Sequence, residues 1–435
     1  RERVVILRHA MKNAMVPVVT VLGLTLAGLL SGNVVFENLF GIPGVGRRIL
    51  VAIQARDVPV VQAFVLVIAT FIVFVNLGID LLHGVVAGLM TQEQAVLERT
   101  PDAAVRRSLS DRPVLMRYLV HTGRFFRTKP LGGAGVVIII ACVIAGVFGN
   151  QLERYDPETI FKTTNPEFDE ALYEKSLTDP LVRLTARPEQ LQKGETPILF
   201  SGPTGEHWLG TDGLGRDLYS RVIHGAYTAL YVGLGAALMA TISGIVIGLA
   251  SAYFAGATDF ILQRIMDTLQ AFPPLVLLLL FGQVVSSPTM TVNTISLGIL
   301  GVASSTRIVR SAVLATREEV YVLAARTVGG SDLRIMFRHI FPNITAPIIV
   351  TFTSSIGVYI LVEATLAFLG LGDPTQVSWG KMIEEGRRNG VADPWMALAV
   401  GGALTVTVLG FNLAGDALRD VLDPRLRGRG GRAGF

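Results

Sequence analysis

An all-α, polytopic membrane protein is the fold class that this 435-residue chain predicts, on three observations. Hydrophobic residues make up 51% and charged residues only 17%, a balance that one soluble core of this length does not keep in solution. Apolar runs of roughly 20 residues, enough to cross about 30 Å of hydrocarbon, recur from end to end. A long-range repeat then groups these runs into two related sets, because Arg8-His9-x-x-x-Asn13-x-x-x-Pro17 returns as Arg338-His339-x-x-x-Asn343-x-x-x-Pro347. Glu37 precedes Gly44 and Gly46 with the spacing that separates Glu363 from Gly370 and Gly372, and Asn76-Leu77-x-x-Asp80 matches Asn412-Leu413-x-x-Asp416. Two related membrane halves on one chain are the expectation. The start at Arg1 reads as a truncation, with the first half present only from its middle onward.

In order along the chain, spans are expected at 14–36, 59–87, 131–150, 225–255, 265–286, 292–312, 346–368 and 395–418, about eight crossings. Basic short loops stay in the cytoplasm. Arg99, Arg106, Arg107, Arg112, Arg117, Arg124, Arg127 and Lys129 place 99–129 there, as Arg307, Arg310, Arg317, Arg326, Arg334 and Arg338 place 307–338. The basic tail with Arg419, Arg425, Arg427, Arg429 and Arg432 belongs on the same side. Segment 151–217 is the opposite case: 13 acidic residues against seven basic ones, several prolines and no long apolar run make it an external domain. Counting crossings from the cytoplasmic linker returns the same orientation. Residues 91–112 read as that linker, and 114–129, mixing aromatics with arginines, as a basic amphipathic helix on the cytoplasmic leaflet, with a plain linker helix as the alternative.

The loop 313–345 carries the most pointed local signal. The stretch from Glu318 should form a helix around small Ala324 and Ala325 with Gly329-Gly330 as its stop, and Ser331 should then cap a second short helix running toward Pro342. Small residues admit another surface close to the backbone, and the arginines offer charge contacts.

At this point the chain resembles the permeases of binding-protein-dependent ABC importers. Ala324-Ala325-x-x-x-Gly329, followed by Arg338, His339, Phe341, Pro342 and Asn343, is similar to the coupling loop of that family, in the form found in its dipeptide, oligopeptide and nickel branch. Leu323 stands where the family usually has glutamate. His207-Trp208-Leu209-Gly210-Thr211-Asp212-Gly213-Leu214-Gly215-Arg216-Asp217 resembles the word before the second helix of one permease subunit, Phe36 to Arg47 the external loop of the other, and Asp423-Pro424-Arg425 the usual ending. The resemblance implies residues 1–90 as the C-terminal part of one permease, 91–130 as linker and amphipathic helix, 131–428 as a second permease and 429–435 as a basic tail. It also implies a multi-pass protein of the prokaryotic cytoplasmic (inner) membrane and a coupling surface of Ala324, Ala325, Arg326, Gly329, Arg338, His339, Pro342 and Asn343. Arg8, His9 and Asn13 are its partial counterpart, with Lys12 in the place of Pro342. Implied partners are two ABC ATPase subunits holding ATP and Mg, an extracytoplasmic substrate-binding protein, and the missing first-permease helices or a partner permease, in a lipid bilayer and without nucleic acid.

The implied cargo is a di- or oligopeptide. Nickel or a nickel chelate is the rival within the branch, and an ATPase-independent channel or scaffold the rival outside it. The chain has no phosphate-binding G-x-x-x-x-G-K-[ST] loop and no hydrolase motif, so it is expected to be neither the ATPase nor any other enzyme, and to bind no cofactor. Cys142 alone supports neither a disulfide framework nor a thiolate site. His207, Asp212 and Asp217 offer metal-ligating chemistry, but Gly210, Gly213 and Gly215 between them read better as a tight turn. Asn76/Asp80 and Asn412/Asp416, each at i and i+4, read as helix-end anchors or substrate contacts. Asp267 beside Arg264 opens a span that Pro273-Pro274 should kink. Glu37 and Glu363 are candidates for a shared role at the external gate.

Overall fold

A computed structural model describes residues 34–74 in part, 129–164, 169–179, 195–271, 289–389 and 394–422, with isolated positions between. Arg8, His9, Asn13, Asn76, Asp80, the linker and amphipathic stretch 91–128, Pro273-Pro274 and 423–435 lie outside the described residues. So do most of the spans expected at 14–36 and 59–87 and much of that at 265–286.

The labelled helices are α1 (Val45–Gln54), α2 (Pro130–Val147), α3 (Leu218–Phe254), α4 (Gly256–Ala271), α5 (Met290–Arg317), α6 (Val320–Thr327), α7 (Phe341–Phe368), α8 (Trp379–Asn389) and α9 (Trp395–Leu422). Five helical stretches among the described residues are long and apolar enough to cross a membrane: Pro130–Val147, Leu218–Phe254, Met290–Arg317, Asp332–Phe368 and Trp395–Leu422. Each contains most of one of the expected spans. The fourth differs in one respect, because its helix begins at Asp332, well before the expected residue 346.

Among the described residues the all-α expectation has one small exception, in the acidic segment. Strands β1 (Lys162–Thr164) and β2 (Glu195–Pro197) pair antiparallel, with Thr163 opposite Thr196. The short helix Glu170–Thr178 lies between them in sequence, started by Asp169, whose carboxylate accepts the Ala171 and Leu172 N–H groups at 3.0 and 3.1 Å.

The chain forms two compact units. One comprises Arg1–Pro130, Met239–Ser287 and Ser296–Ile348; the other Leu131–Leu238, Pro288–Ile295 and Ile349–Phe435. In the first, Leu249, Ala252 and Tyr253 of α3 bury against Val309 and Val313 of α5, and Met266 of α4 against Val302 and Ala303 of α5. A Cβ on Gly248 would lie 2.9 Å from the Thr306 carbonyl, so the bare glycine sets how closely α3 and α5 approach. In the second unit, Cys142, Ala226, Ile360, Trp379, Met382, Val400 and Phe411 build the core. Gly135 of α2 and Gly410 of α9 meet in the same close manner.

Candidate functional site

The hairpin that the sequence singles out is built in the first unit. α6 ends where Gly329 adopts φ +80°, with its N–H bonded to the Arg326 carbonyl at 2.9 Å and the Gly330 N–H to the Ala325 carbonyl at 3.0 Å. Those two bonds satisfy carbonyls that the helix end would leave open, and only glycine takes this left-handed turn without strain. Ser331 occupies the N-cap position as expected, yet its hydroxyl makes no capping bond.

The second helix differs from the expectation of a short segment stopping near Pro342. It passes through Asp332–Arg334 and a π-helical stretch, Ile335–Ile340, and continues directly into α7. Pro342 explains the widening. It has no N–H to offer the Arg338 carbonyl and its ring crowds that carbonyl in a regular α-helix. Looser i→i+5 bonding, seen as Phe341 N–H to Met336 O, absorbs the misfit without a break. Asn343 donates its side-chain amide to the His339 carbonyl at 2.7 Å.

One face of the hairpin is fixed and the other is open. Val322, Ile335, Met336, Ile340 and Ile344 bury with Leu249 and Tyr253 of α3 and Val313 of α5. Val320, Leu323, Val328, Leu333 and Phe337 are exposed, Val328 to 88%. The two alanines divide between these faces: Ala324 is exposed, while Ala325 is partly buried and packs against the core. Arg326, expected as a charge contact for another protein, also engages its own unit. Its guanidinium lies 5.2 Å over the Tyr253 ring, and the Tyr253 hydroxyl donates to Asp332 at 2.7 Å. Arg338 and Pro342 are exposed and His339 is half-buried.

Charge pairs brace the helices beneath the hairpin. Arg310 grips Asp259 with two bonds of 2.7 and 2.6 Å, and Arg317 donates to the Ala252 carbonyl near the C-terminus of α3 at 2.6 Å. Asp267, singled out with Arg264, pairs with it at 3.4 Å and with Arg307 at 2.7 Å.

The repeated glutamates turn out to do the same local job by different means. Glu37 accepts the Arg47 N–H at 2.8 Å, at the start of α1. A Cβ on Gly44 would fall 2.1 Å from the Glu37 carboxyl carbon, so a side chain there would push the carboxylate off the helix end. Glu363, only 4% exposed, accepts the Ser378 hydroxyl at 2.9 Å, and Ser378 Oγ in turn accepts the Gly380 N–H at 3.2 Å, at the start of α8. Each carboxylate thus faces the positive N-terminus of a short helix, the second through an inserted hydroxyl. The spacing match misleads on the glycines. Gly370 (φ +81°) ends α7, whereas the structural counterpart of Gly46 is Gly380: both are second in their short helix, and a Cβ on either would collide with Val34 or Ala364 on the preceding segment.

In the second unit, the glycine-rich word 207–217 is a hydrogen-bonded turn. His207 Nδ1 lies 2.9 Å from Asp217 Oδ1, while Asp217 Oδ2 accepts the Ser220 N–H and hydroxyl at 2.9 and 2.8 Å. Asp212, fully buried, accepts the Leu214 and Arg216 N–H groups at 2.9 Å and Arg216 Nε at 2.8 Å. These carboxylates are saturated by the protein's own donors, which favours the turn over the metal reading. Asn412 and Asp416 are both exposed on α9.

Sequence reasoning missed a charge cluster around this turn. Glu158 pairs with Arg216 at 3.0 Å and Arg221 at 3.3 Å, and Glu385 of α8 approaches the same two arginines at 3.6 and 4.0 Å. Beside it opens a polar cleft of about 650 Å³, lined in part by Asn150, Glu153, Glu158, His224 and Gln376. His224 pairs with Glu153 across 2.7 Å. The basic residues of the G-x-G-R-D word and of Ser220-Arg221 were visible, but not Glu158 and Glu385, which lie on remote segments.

Comparison with known proteins agrees with this architecture. Residues 1–92 and 244–428 match the family described as binding-protein-dependent transport system inner membrane component, and both copies of the R-H-x-x-x-N repeat fall within the matched stretches. The oligopeptide transport system permease protein OppC of Bacillus subtilis is 34% identical over 303 residues, 69% of this chain and 88% of the relative. The dipeptide transport system permease protein DppC of Alkalihalophilus pseudofirmus is 40% identical over 229 residues, 52% of this chain and 75% of the relative. The glutathione transport system permease protein GsiD of Escherichia coli O6:K15:H31 is 33% identical over 306 residues, 70% of this chain and 90% of the relative.

Proposed function

The chain belongs to the family of inner-membrane components of binding-protein-dependent transport systems, and from that membership we propose that it moves short peptides inward across the cytoplasmic membrane with ATP and Mg held by two partner ATPase subunits. As a permease it is the membrane-spanning component, working with ATPase and substrate-binding subunits, and is not itself the enzyme. Residues 1–90 and 131–428 act as portions of two permease halves joined through 91–130. A soluble binding protein delivers cargo to the 151–217 side, and rocking of the helical halves alternates access to a central path.

The observation that carries this reading is the two-faced hairpin. Its inner face is locked to α3 and α5, so a push on the outer face reaches two membrane helices. That outer face offers Leu323, Ala324, Val328, Leu333, Phe337 and Arg338 to a partner. Gly329 shapes the tip, His339 and Asn343 lie at its return, and Arg8, His9 and Asn13 provide the matching part of the other half. The peptide assignment draws on the named cargoes of the relatives. As external-gate residues, Glu37 and Glu363 each hold the start of a short helix, α1 and α8.

Ala324→Trp tests the hairpin. Co-purification of the ATPase subunits should fall at least about tenfold while membrane insertion is preserved, the size of loss that one blocked central contact produces. An unchanged yield of ATPase subunits would return the chain to the channel or scaffold class. Uptake of a labelled dipeptide by cells carrying the intact system checks the cargo, and uptake of nickel alone would overturn it.

A further inference from the structure

The short helix α8 is closely packed along its length, with Gly386 so near α9 that a Cβ would lie 2.8 Å from the Ala397 N, but its polar contacts are of unequal quality. At its N-terminus, Trp379 donates to the Val222 carbonyl at 2.9 Å, Ser378 bridges Glu363 and Gly380, and Gly380 lies so close to α7 that a Cβ would meet the Ala364 carbonyl at 1.9 Å. In the same first turn, Lys381 donates to the Asp373 and Gln376 carbonyls. None of these contacts has room to lengthen without loss. Glu385 is different. It reaches Arg216 only at 3.6 Å and Arg221 at 4.0 Å, beyond hydrogen-bond range, and its side chain is 40% exposed.

The two arginines do not need Glu385 for neutrality. They are 8% and 4% exposed, and Asp212 and Glu158 already supply two negative charges for their two positive ones. Glu385 also faces the Lys381 ammonium, so it is one of three carboxylates around three cations, and of the three it makes the loosest contacts with the arginines. Its presence leaves a poor fit, since Arg216 Nη2, Arg221 Nε and Glu385 Oε2 are buried without a hydrogen-bond partner among the described residues. Arg221 Nε lies 3.2 Å from Asp212 without the alignment for a bond. A strong interaction would have closed these gaps. A contact that has to be made and broken in each cycle needs to stay at this strength.

We propose that Glu385, with Arg216 and Arg221, is a releasable latch that ties α8 to the external segment and holds the permease at rest until a loaded binding protein arrives. The proposal rests on the importer reading and adds a regulatory contact to it. Glu158 extends the latch toward the surface, because its carboxylate engages both arginines and also lines the open cleft. A disturbance of the external segment at Glu158 thus reaches the two arginines directly, and through them Glu385. When Glu385 lets go, α8 keeps its packing on α7 and α9 and loses its charge tie to the external segment. The three residues are positioning residues, acting on transport through α8.

The test uses the full chain reconstituted in liposomes with its ATPase subunits, with and without binding protein loaded with a dipeptide. Glu385→Gln should raise ATP hydrolysis in the absence of binding protein about fivefold and reduce the stimulation that loaded binding protein gives. Glu385→Lys, which adds a further cation beside the two arginines and Lys381, should do more. Glu384→Gln is the control, since Glu384 pairs with Arg387 and Arg388 of its own helix. Salt separates a latch from a purely structural carboxylate: raising ionic strength from about 0.05 to about 0.5 M should increase basal hydrolysis in the parent protein and leave Glu385→Gln unmoved, because half-exposed charges are screened over that range. Parent-like basal rate, stimulation and salt response in both Glu385 variants would overturn the latch. A parent complex that binding protein fails to stimulate would instead count against the importer reading.

Discussion

Ile335, at the start of the π-helical stretch, is fully buried among Val322, Tyr253 and Val313, whereas Glu363, almost as dry, is held by one hydroxyl. The first unit secures its hairpin by apolar burial, which is strong and tolerant of small shifts because it has no preferred direction. The second adds directional polar contacts to the apolar burial of Trp379 and Met382 of α8, and such contacts are weaker in sum and specific about geometry. A surface that transmits a mechanical push benefits from the first kind of bond. A helix that changes its ties on a signal benefits from the second. The contrast is one of composition, and each side of it can be broken separately.

The largest effect is expected at the apolar side. Ile335→Ala removes buried methyl groups from a filled core and should cost about 2–5 kcal/mol. Limited proteolysis of the detergent-solubilised protein would show this as earlier cleavage at 313–345, with cleavage in 195–217 unchanged. Cleavage advancing equally in both regions would contradict the separation between the two units.

A smaller effect, and a graded one, is expected among the repeated glutamates. Glu363→Ala leaves the Ser378 hydroxyl without its acceptor in a dry site, at a cost of about 1–3 kcal/mol, while Glu363→Gln keeps an acceptor and should recover most of it. Glu37→Ala removes a more exposed cap and should cost about 1 kcal/mol. Thermal unfolding in one detergent would rank the three variants. An equal loss for Glu363→Ala and Glu37→Ala would mean that the inserted Ser378 has no energetic consequence.

The smallest effect is acid-dependent. The hydrogen bonds from Arg310 hold the Asp259 carboxylate down, from an ordinary 3.8 to about 2, against the opposing effect of burial and with help from Ser251. A carboxylate depressed in the folded state contributes stability that is present above its unfolded pKa and is lost as pH falls through the folded one. The stability difference between the parent and Asp259→Asn should therefore be full at about pH 5 and shrink between about pH 4 and about pH 2. Unfolding measured across that window checks it, and a difference that grows on acidification would reverse the sign of the argument.

Much of the architecture was legible in the residues. The five described spans are set by apolar run length, and Gly329-Gly330 announced the end of α6 because glycine alone enters the left-handed turn cheaply. Other features were out of reach for identifiable reasons. Which of Ala324 and Ala325 faces outward depends on a rotation of about 100° per residue, and the helix phase is set by which side finds a core. Spacing paired Gly46 with Gly372, but the chain inserts extra residues before α8, so the contact passes to Gly380. The continuous passage through Pro342 ran against a sound rule about proline, because widened bonding offered another way to satisfy the backbone.

The sequence alone determined the features that local chemistry and period control: the membrane class, the five described spans, the hairpin and its glycine stop, and the family. The tertiary structure alone decided the partnerships between distant segments: Tyr253 with Arg326 and Asp332, Glu363 with Ser378, and Glu385 with Arg216 and Arg221. The physical reason is that a charge or hydroxyl is satisfied by any suitable group within about 3 Å, and which group arrives there is a property of the packed chain and not of its neighbours in sequence.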